Sequence, residues 1–460
     1  MDSRILEKVE KLITNIHCCN ACLGRQFGNL LSGLTNYSRG VALKIILLME
    51  WEHSYRIQDV NPAIFSSLLS KDFDIGVKSL QRHFPDSINL LKPCEICNDL
   101  LLTDNLDQLA QKAFISLKEY EYSTFLVGSI FPPIILDSED NIRSSYNLEF
   151  GESIKAEFNR EVGKRLQILV PNAIVEFKAP DIVVTYDLIE DRVLIKSNPL
   201  FILGRYRKLE RGIPQSRWFC RVCRGKGCEN CNFTGKMYQD SVEEFISQPF
   251  LLATKASSSK FHGAGREDID ALMVGTGRPF VLEISDPRIR NVNLDQLKIQ
   301  IEQNAIGKVE VEFKGFTNRT KVRELKTKST KTAKAYRALV SLNPPIEISE
   351  TLKKEIIKNF QESVIKQRTP HRVTHRRADK IRDRRVITFR FEHVSPQEIK
   401  VFILCEGGLY VKELISGDEG RTTPNLSMLL NTQATVTKLD VIEVLEPSNS
   451  LISINPTQLD

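Results

Sequence analysis

No run of about 18 consecutive apolar residues occurs among the 460 positions, so nothing in the chain reads as a membrane-spanning helix. The opening residues, "MDSRILEKVEKLITNI", carry charges throughout and read as an amphipathic helix rather than as a secretory leader. The expectation is a cytoplasmic protein without membrane contact. No GxxxxGK[ST] sequence is present, which removes the phosphate loop that an ATP-dependent thiolation enzyme would need. Internal repeats and low-complexity linkers are also absent. What remains is an ordinary globular composition, 41% hydrophobic and 27% charged, long enough for roughly three domains.

The net charge of +6 is modest, but its distribution is not. "KQRTPHRVTHRRADKIRDRR", residues 366–385, holds nine Lys/Arg against two Asp. Clustered arginine of this kind is the electrostatic footprint of nucleic-acid binding. A second basic stretch, "GRYRKLERGIPQSR" at 204–217, offers a rim for RNA phosphates.

Ten cysteines fall mostly into CxxC pairs. In a cytoplasmic chain such pairs point to metal or redox chemistry sooner than to structural disulfides. Cys220, Cys223, Cys228 and Cys231 form two CxxC knuckles four residues apart, with two glycines between them. That spacing lets tight turns bring four thiolates to tetrahedral zinc with no open coordination position, a structural site. Cys19 and Cys22, and some seventy residues on Cys94 and Cys97, are predicted to close a second four-thiolate zinc site. "PCEIC" also matches half of a zinc deaminase signature, but the H-x-E or C-x-E that this chemistry needs occurs nowhere in the chain. Cys405, alone in an apolar strand, reads as a small core residue.

Periodicity divides the chain into four segments. Residues 1–104 read as helical between the cysteine pairs, in "VALKIILLMEWE" and "NPAIFSSLLSKDFDIGVKSLQRHF". Residues 105–215 mix a strand ("STFLVGSIF"), an amphipathic helix ("SIKAEFNREVGKRLQIL") and several short strands. Residues 216–240 are the cysteine knuckle. Residues 241–460 are rich in strand signals such as "KVEVEFKGF", "AKAYRALVSL", "VITFRFEHV" and "IKVFILCEG", with a helix predicted to start at Asn293. The fold class is α+β, with a mixed, mainly antiparallel sheet flanked by helices in this last segment.

The stretch "FHGAGREDIDALMVGTGRPFVLEI" invites a nucleotide-loop reading, which fails on context. A dinucleotide loop follows a strand and opens a helix, whereas "GTGRP" reads as preceding a strand. Taken alone, an acid in this Gly-rich turn is most simply a backbone cap. Two segments downstream alter that reading. "KAYRALV" puts Lys334, Tyr336 and Ala338 on one strand face, where an aromatic could stack on a flipped base. "CEGGLYVKELISGDEGRTTPNL" places Lys412 after a Gly-Gly turn, where a cation could hold an Asp ionised.

These three segments, in this order, resemble the active-site motifs of the pseudouridine synthases. "FHGAGREDID", "GTGRPF", "QRTPHRVTHRRAD", "GLYVKELISGDEGRTTPNLS" and the middle block ending "GRYRKLERGIPQ" are similar to those of the archaeal-type branch of the tenth pseudouridine synthase family, across residues 15–446. The resemblance implies an N-terminal zinc-containing region, a THUMP-type RNA-binding module at 105–215, and a pseudouridine synthase catalytic domain at 241–460. It also implies isomerisation of uridine in the T-loop of tRNA, at position 55 and often 54. No cofactor would take part in catalysis, and both zincs would be structural. By the same resemblance Asp268 is the catalytic residue, Tyr336 stacks on the target base, Lys412 pairs with the Asp carboxylate and Arg266 helps hold the flipped nucleotide. Asp270 is the rival for the catalytic role. Glu267 stands where many synthases outside the family have Thr, and Lys412 where several have Arg. The expected partner is tRNA, with no nucleotide cofactor, and the expected state is a monomer. A zinc-containing tRNA-binding or chaperone protein without catalysis is the alternative class.

Overall fold

Val9, Leu12 and Ile13 lie on one face of the helix Ile5–Asn15 and enter a core that runs without a break to Tyr186. The structure is a computed structural model, described here for residues 4–57, 68–83, 91–329 and 332–445. The chain separates into two compact units, Met1–Asn198 and Pro199–Asp460. No described helix is long and apolar enough to cross a membrane.

In the first unit the short helix Asn20–Gly24 crosses the long helix Asn36–Ile57 at backbone distance. A Cβ on Gly40 would sit 1.9 Å from Asn20 O, so only glycine fits the crossing. The helix predicted over 61–84 is seen only as Asp74–His83, because residues 68–73 form turns rather than helix; residues 61–67 and 84 lie outside the described residues. Four strands follow: β1 (Thr124–Ile130), β2 (Ile174–Val175), β3 (Ile182–Asp187) and β4 (Arg192–Ser197). They are ordered β2-β1-β3-β4, with β1 parallel to both neighbours. The helices Thr103–Leu117 and Ile154–Leu169 send Leu106, Ala113, Phe158 and Val162 into the shared core. Arg25, fully buried, forms an ion pair with buried Glu139 and so ties the cysteine-bearing segment to the helix Pro133–Ser145. Residues 1–104 and the following α/β segment therefore share one interior rather than two.

The second unit contains β5 (Leu200–Lys208), β6 (Ser258–Gly263), β7 (Ala271–Ser285), β8 (Val309–Thr317) and β9 (Lys334–Asn343). Further along are β10 (Ile365–Arg368), β11 (Ile381–Arg384), β12 (Val386–Val394), β13 (Glu398–Cys405), β14 (Thr422–Thr423) and β15 (Gln433–Val444). The main sheet has the order β12-β13-β9-β15-β7-β5-β8, with β6 added on β7, and only β15–β7 is parallel. The expected mixed, mainly antiparallel sheet is thus present, and helices such as Val242–Thr254 and Leu294–Ala305 pack on it. Asn293 caps the latter through its side chain, which accepts from Asp295 N and Gln296 N. Strands β10, β11 and β14 make a small second sheet.

Three expectations need correction. The segment 199–215 does not belong to the preceding module, because β5 pairs with β7 and β8 in the second unit's sheet. Much of its basic rim is engaged by the protein's own groups, with Arg217 left at the surface. Lys208 is fully buried, Arg207 pairs with Glu310, and Arg205 donates to Thr276 O and Gly277 O. Finally, "GTGRP" does not precede a strand but lies within β7. Gly275 and Gly277 adopt φ of +59° and +77° where the neighbouring backbones at Ile442 and Tyr206 pass too close for any Cβ.

Candidate active site

Gly265, at φ +86°, opens the turn between β6 and β7, and a Cβ there would come within 3.0 Å of both the Arg278 guanidinium and the Lys334 ammonium. From that point the backbone is fixed one carbonyl after another. Arg278 Nη1 donates to Ala264 O (2.8 Å) and Gln215 Nε2 to Gly265 O (3.0 Å). Lys208 Nζ donates to Asp268 O (3.1 Å) and Ile269 O (3.0 Å), and Arg211 Nη1 to Asp270 O (2.9 Å). Burial pushes the Lys208 ammonium down to about 8, so this strut sits in a strongly desolvated place.

The three acids of the turn separate. Glu267 points inward, accepting from Tyr206 Oη at 2.8 Å and Arg278 Nε at 2.8 Å. Burial alone would weaken the Arg278 charge, but Glu267 beside it outweighs that and raises its pKa. Asp268 faces a cleft of about 350 Å³ lined also by Arg266, Tyr336, Arg372, Tyr410 and Lys412. Asp270 is not in that lining, and its side chain is 64% exposed against 26% for Asp268.

The cations are shared in a way the motifs did not foretell. Arg372 Nη1 donates to Asp268 at 2.9 Å, and its Nε donates to buried Glu413 at 2.6 Å. Lys412 Nζ stands 3.6 Å from Asp268 but only 2.7 Å from Asp270. Burial tends to raise the Asp270 carboxyl, yet the Lys412 hydrogen bond and charge together hold it below its usual range. The expected Lys412–Asp268 pair is therefore the longer of two contacts. The reason is geometric: a guanidinium spans two carboxylates in its plane, whereas an ammonium settles as a point charge on the nearer one. Sequence reasoning placed Arg372 in the phosphate-binding run. Composition could not say which arginine of that run turns inward.

Tyr336 sits on β9 between Ile403 of β13 and Val441 of β15. Burial pushes its phenol up, so the ring stays neutral and offers an apolar wall. Arg266 lies with its guanidinium 5.1 Å from the centre of the Trp218 ring. Lys334, on the same strand as Tyr336, is buried beside Arg278, Glu267 and Cys405, and burial lowers its pKa to about 8. An ordinary lysine titrates at about 10.4, so between pH 8 and 10 the unfolded chain binds the extra proton and folding gains stability as pH rises. Lys334→Met should remove that component. Urea unfolding at pH 7.5 and 10 should show the wild type gaining on the variant by up to about 1.4 kcal/mol per pH unit.

Both predicted thiolate clusters assemble. The sulfurs of Cys19, Cys22, Cys94 and Cys97 lie within 4.8 Å of one another, as do those of Cys220, Cys223, Cys228 and Cys231. The closer sulfur–sulfur distances are 3.7 Å for Cys19–Cys97, and 3.7, 3.8 and 3.9 Å in the second cluster. Four thiolates at a metal–sulfur distance of about 2.3 Å form a tetrahedron with edges of about 3.8 Å, which these distances match. Backbone N–H groups of Gly227, Cys228 and Gly235 donate to the sulfurs of Cys223 and Cys231, as a thiolate charge requires. The donor sets fit metal ions, and no cysteine among those described is in a disulfide.

Residues 109–187 match the family described as Pus10 THUMP domain, archaeal, and residues 201–445 that described as Pus10, C-terminal. The chain is 41% identical to the tRNA pseudouridine synthase Pus10 of Methanothrix thermoacetophila, over 93% of its own length and 91% of that protein's. It is 39% identical to the Methanopyrus kandleri protein of the same name (96% and 99% covered) and 43% identical to that of Methanocaldococcus jannaschii (93% and 91% covered). The chain belongs to the Pus10 family of tRNA pseudouridine synthases.

Proposed function

We propose that the chain isomerises uridine to pseudouridine in the T-loop of tRNA, at position 55 and also at 54, with Asp268 as the catalytic residue. In the reaction the N1–C1′ bond of the uridine breaks, the base turns, and a C5–C1′ bond forms. The C5 proton is lost and N1 gains one, so no redox partner or second substrate is consumed. The observation that carries the reading is that Asp268 lines the cleft within 3.6 Å of two cations, whereas Glu267, which also borders the cleft, is engaged by Arg278 and Asp270 lies outside the lining. Arg372 at 2.9 Å and Lys412 at 3.6 Å set two positive charges beside its carboxylate, an arrangement that suits attack on the ribose or base and removal of a ribose proton alike. Extruding a nucleotide costs a few kcal/mol, which stacking on Tyr336 offsets by about 1–3 kcal/mol. Arg266, at the cleft's edge, would hold the extruded nucleotide's phosphate. The test is to incubate the protein alone with an unmodified tRNA transcript and map pseudouridine chemically. Product at positions 55 and 54 is expected, and no product at either overturns the proposal.

The same reading assigns zinc to both thiolate clusters as structural metal, holding turns rather than reacting groups. Elemental analysis of the purified protein should give two zinc equivalents per chain, and one or none would sink that assignment. The protein would act as a monomer in the cytoplasm, without a nucleotide cofactor.

A further inference from the structure

Metal scaffolds commonly bury their apolar residues, yet the knuckle around Cys220–Cys231 turns its own outward. Phe233 is 74% exposed, Phe219 is 53% exposed, and Val222 lies exposed between two of the cysteines. Phe233 also adopts φ +59°, next to Asn232 at +49°. A bulky residue rarely occupies this region, and it persists only where its surroundings fix it. They do so here: Phe233 N donates to Cys228 O at 2.9 Å, Thr234 N to Cys231 O at 3.0 Å and Gly235 N to Cys231 Sγ at 3.2 Å. The turn that closes the cysteine cluster thus holds an aromatic ring in solvent at the expense of backbone comfort.

Charge surrounds these rings. From Arg217 to Lys236 there are five Lys/Arg and one acid, Glu229. Arg221, Arg224 and Lys226 are exposed, and the Arg217 guanidinium stacks 5.0 Å from the Phe219 ring centre. Four thiolates around one divalent ion carry two net negative charges, and the segment remains positive even so. The knuckle is also coupled to the cleft. Trp218, adjacent to Phe219, receives the Arg266 guanidinium on its face at 5.1 Å and packs edge-on against Tyr238. A nucleic acid whose target base enters beside Arg266 would pass close to this surface.

We propose that the knuckle is an RNA-docking surface, with Phe233 and Phe219 stacking on unpaired nucleotides of the substrate tRNA while Arg221, Arg224 and Lys226 contact its phosphates. Exposed aromatics interleaved with cations are what single-stranded nucleotides recognise, since every base has a face to stack and a phosphate to neutralise. The inference rests on the tRNA reading above and gives the second metal site a role in substrate capture.

The test uses the full, metal-loaded protein. Phe233→Asn is chosen because asparagine tolerates the left-handed region better than phenylalanine, so the variant should keep its metal and its fold. It should bind tRNA at least about five-fold more weakly, the lower end of what stacking contributes. The loss should appear in KM and not in turnover at saturating tRNA. Arg221→Gln with Arg224→Gln should lower the salt dependence of binding by about one unit of slope for each contact removed. If the Phe233→Asn variant retains its metal and binds tRNA like the wild type, and the wild type forms pseudouridine in that tRNA, the docking surface is refuted and the tRNA reading stands. If the variant binds weakly but the wild type forms no pseudouridine, the docking surface is supported and the enzymatic reading falls.

Discussion

Asp268→Asn should reduce pseudouridine formation by at least about a thousand-fold, within the range that removal of a catalytic acid–base or nucleophilic group produces. The amide is nearly isosteric and still accepts the Arg372 hydrogen bond, which spans 2.9 Å in the native site. Binding of tRNA should therefore stay within a few-fold, and single-turnover mapping beside a filter-binding isotherm separates the two effects. The comparison variant is Asp270→Asn. Asp270 lies outside the cleft lining and holds Lys412 from the solvent side. Its replacement should cost less than about ten-fold, because Arg372 still faces Asp268. Full activity in Asp268→Asn together with loss in Asp270→Asn would transfer the catalytic role two residues along.

Arg278→Met should destabilise the second unit by about 3–5 kcal/mol, the usual consequence of removing one partner of a buried ion pair. Arg278 is 1% exposed and Glu267 6% exposed, so the stranded carboxylate would keep its Tyr206 hydrogen bond and the nearby Lys334 charge but lose its ion-pair hydrogen bond. The same change removes the donor to Ala264 O, so the turn carrying Asp268 loses a strut as well as a charge. Urea unfolding should show a lower midpoint, with activity falling further than the unfolded fraction explains. An unfolding free energy within about 1 kcal/mol of the wild type would overturn this expectation. The pair also accounts for the acid beside Asp268, since a threonine there could not neutralise an arginine held in this interior.

Much of this was legible because the signals are local. "VITFRFEHV" and "IKVFILC" are dense in β-branched and aromatic residues and appear as β12 and β13, paired from Val386↔Cys405 to Val394↔Ile399. CxxC spacing determines where sulfurs can meet almost regardless of the rest of the chain. Less was legible where allegiance is decided at a distance. Nothing within "LFILGRYRK" says that it pairs with β7 and β8 rather than with the strands just before it. Gly275 and Gly277 read as lying before the strand, because glycine weakens strand interiors. Here they mark close approach of neighbouring backbones, which only the assembled sheet makes visible. Arg372 was hidden among equivalent arginines, and only the fold singles it out by bringing Glu413 within 2.6 Å.

The first cysteine cluster joins two pairs separated by about seventy residues. For a closure of that size the entropy depends weakly on contour length, each doubling adding only about 0.6 kcal/mol. The number of residues between the pairs is thus a weak determinant of how firmly the four thiolates are held together, and what constrains that segment is the packing of the helix Asn36–Ile57 on Asn20–Gly24.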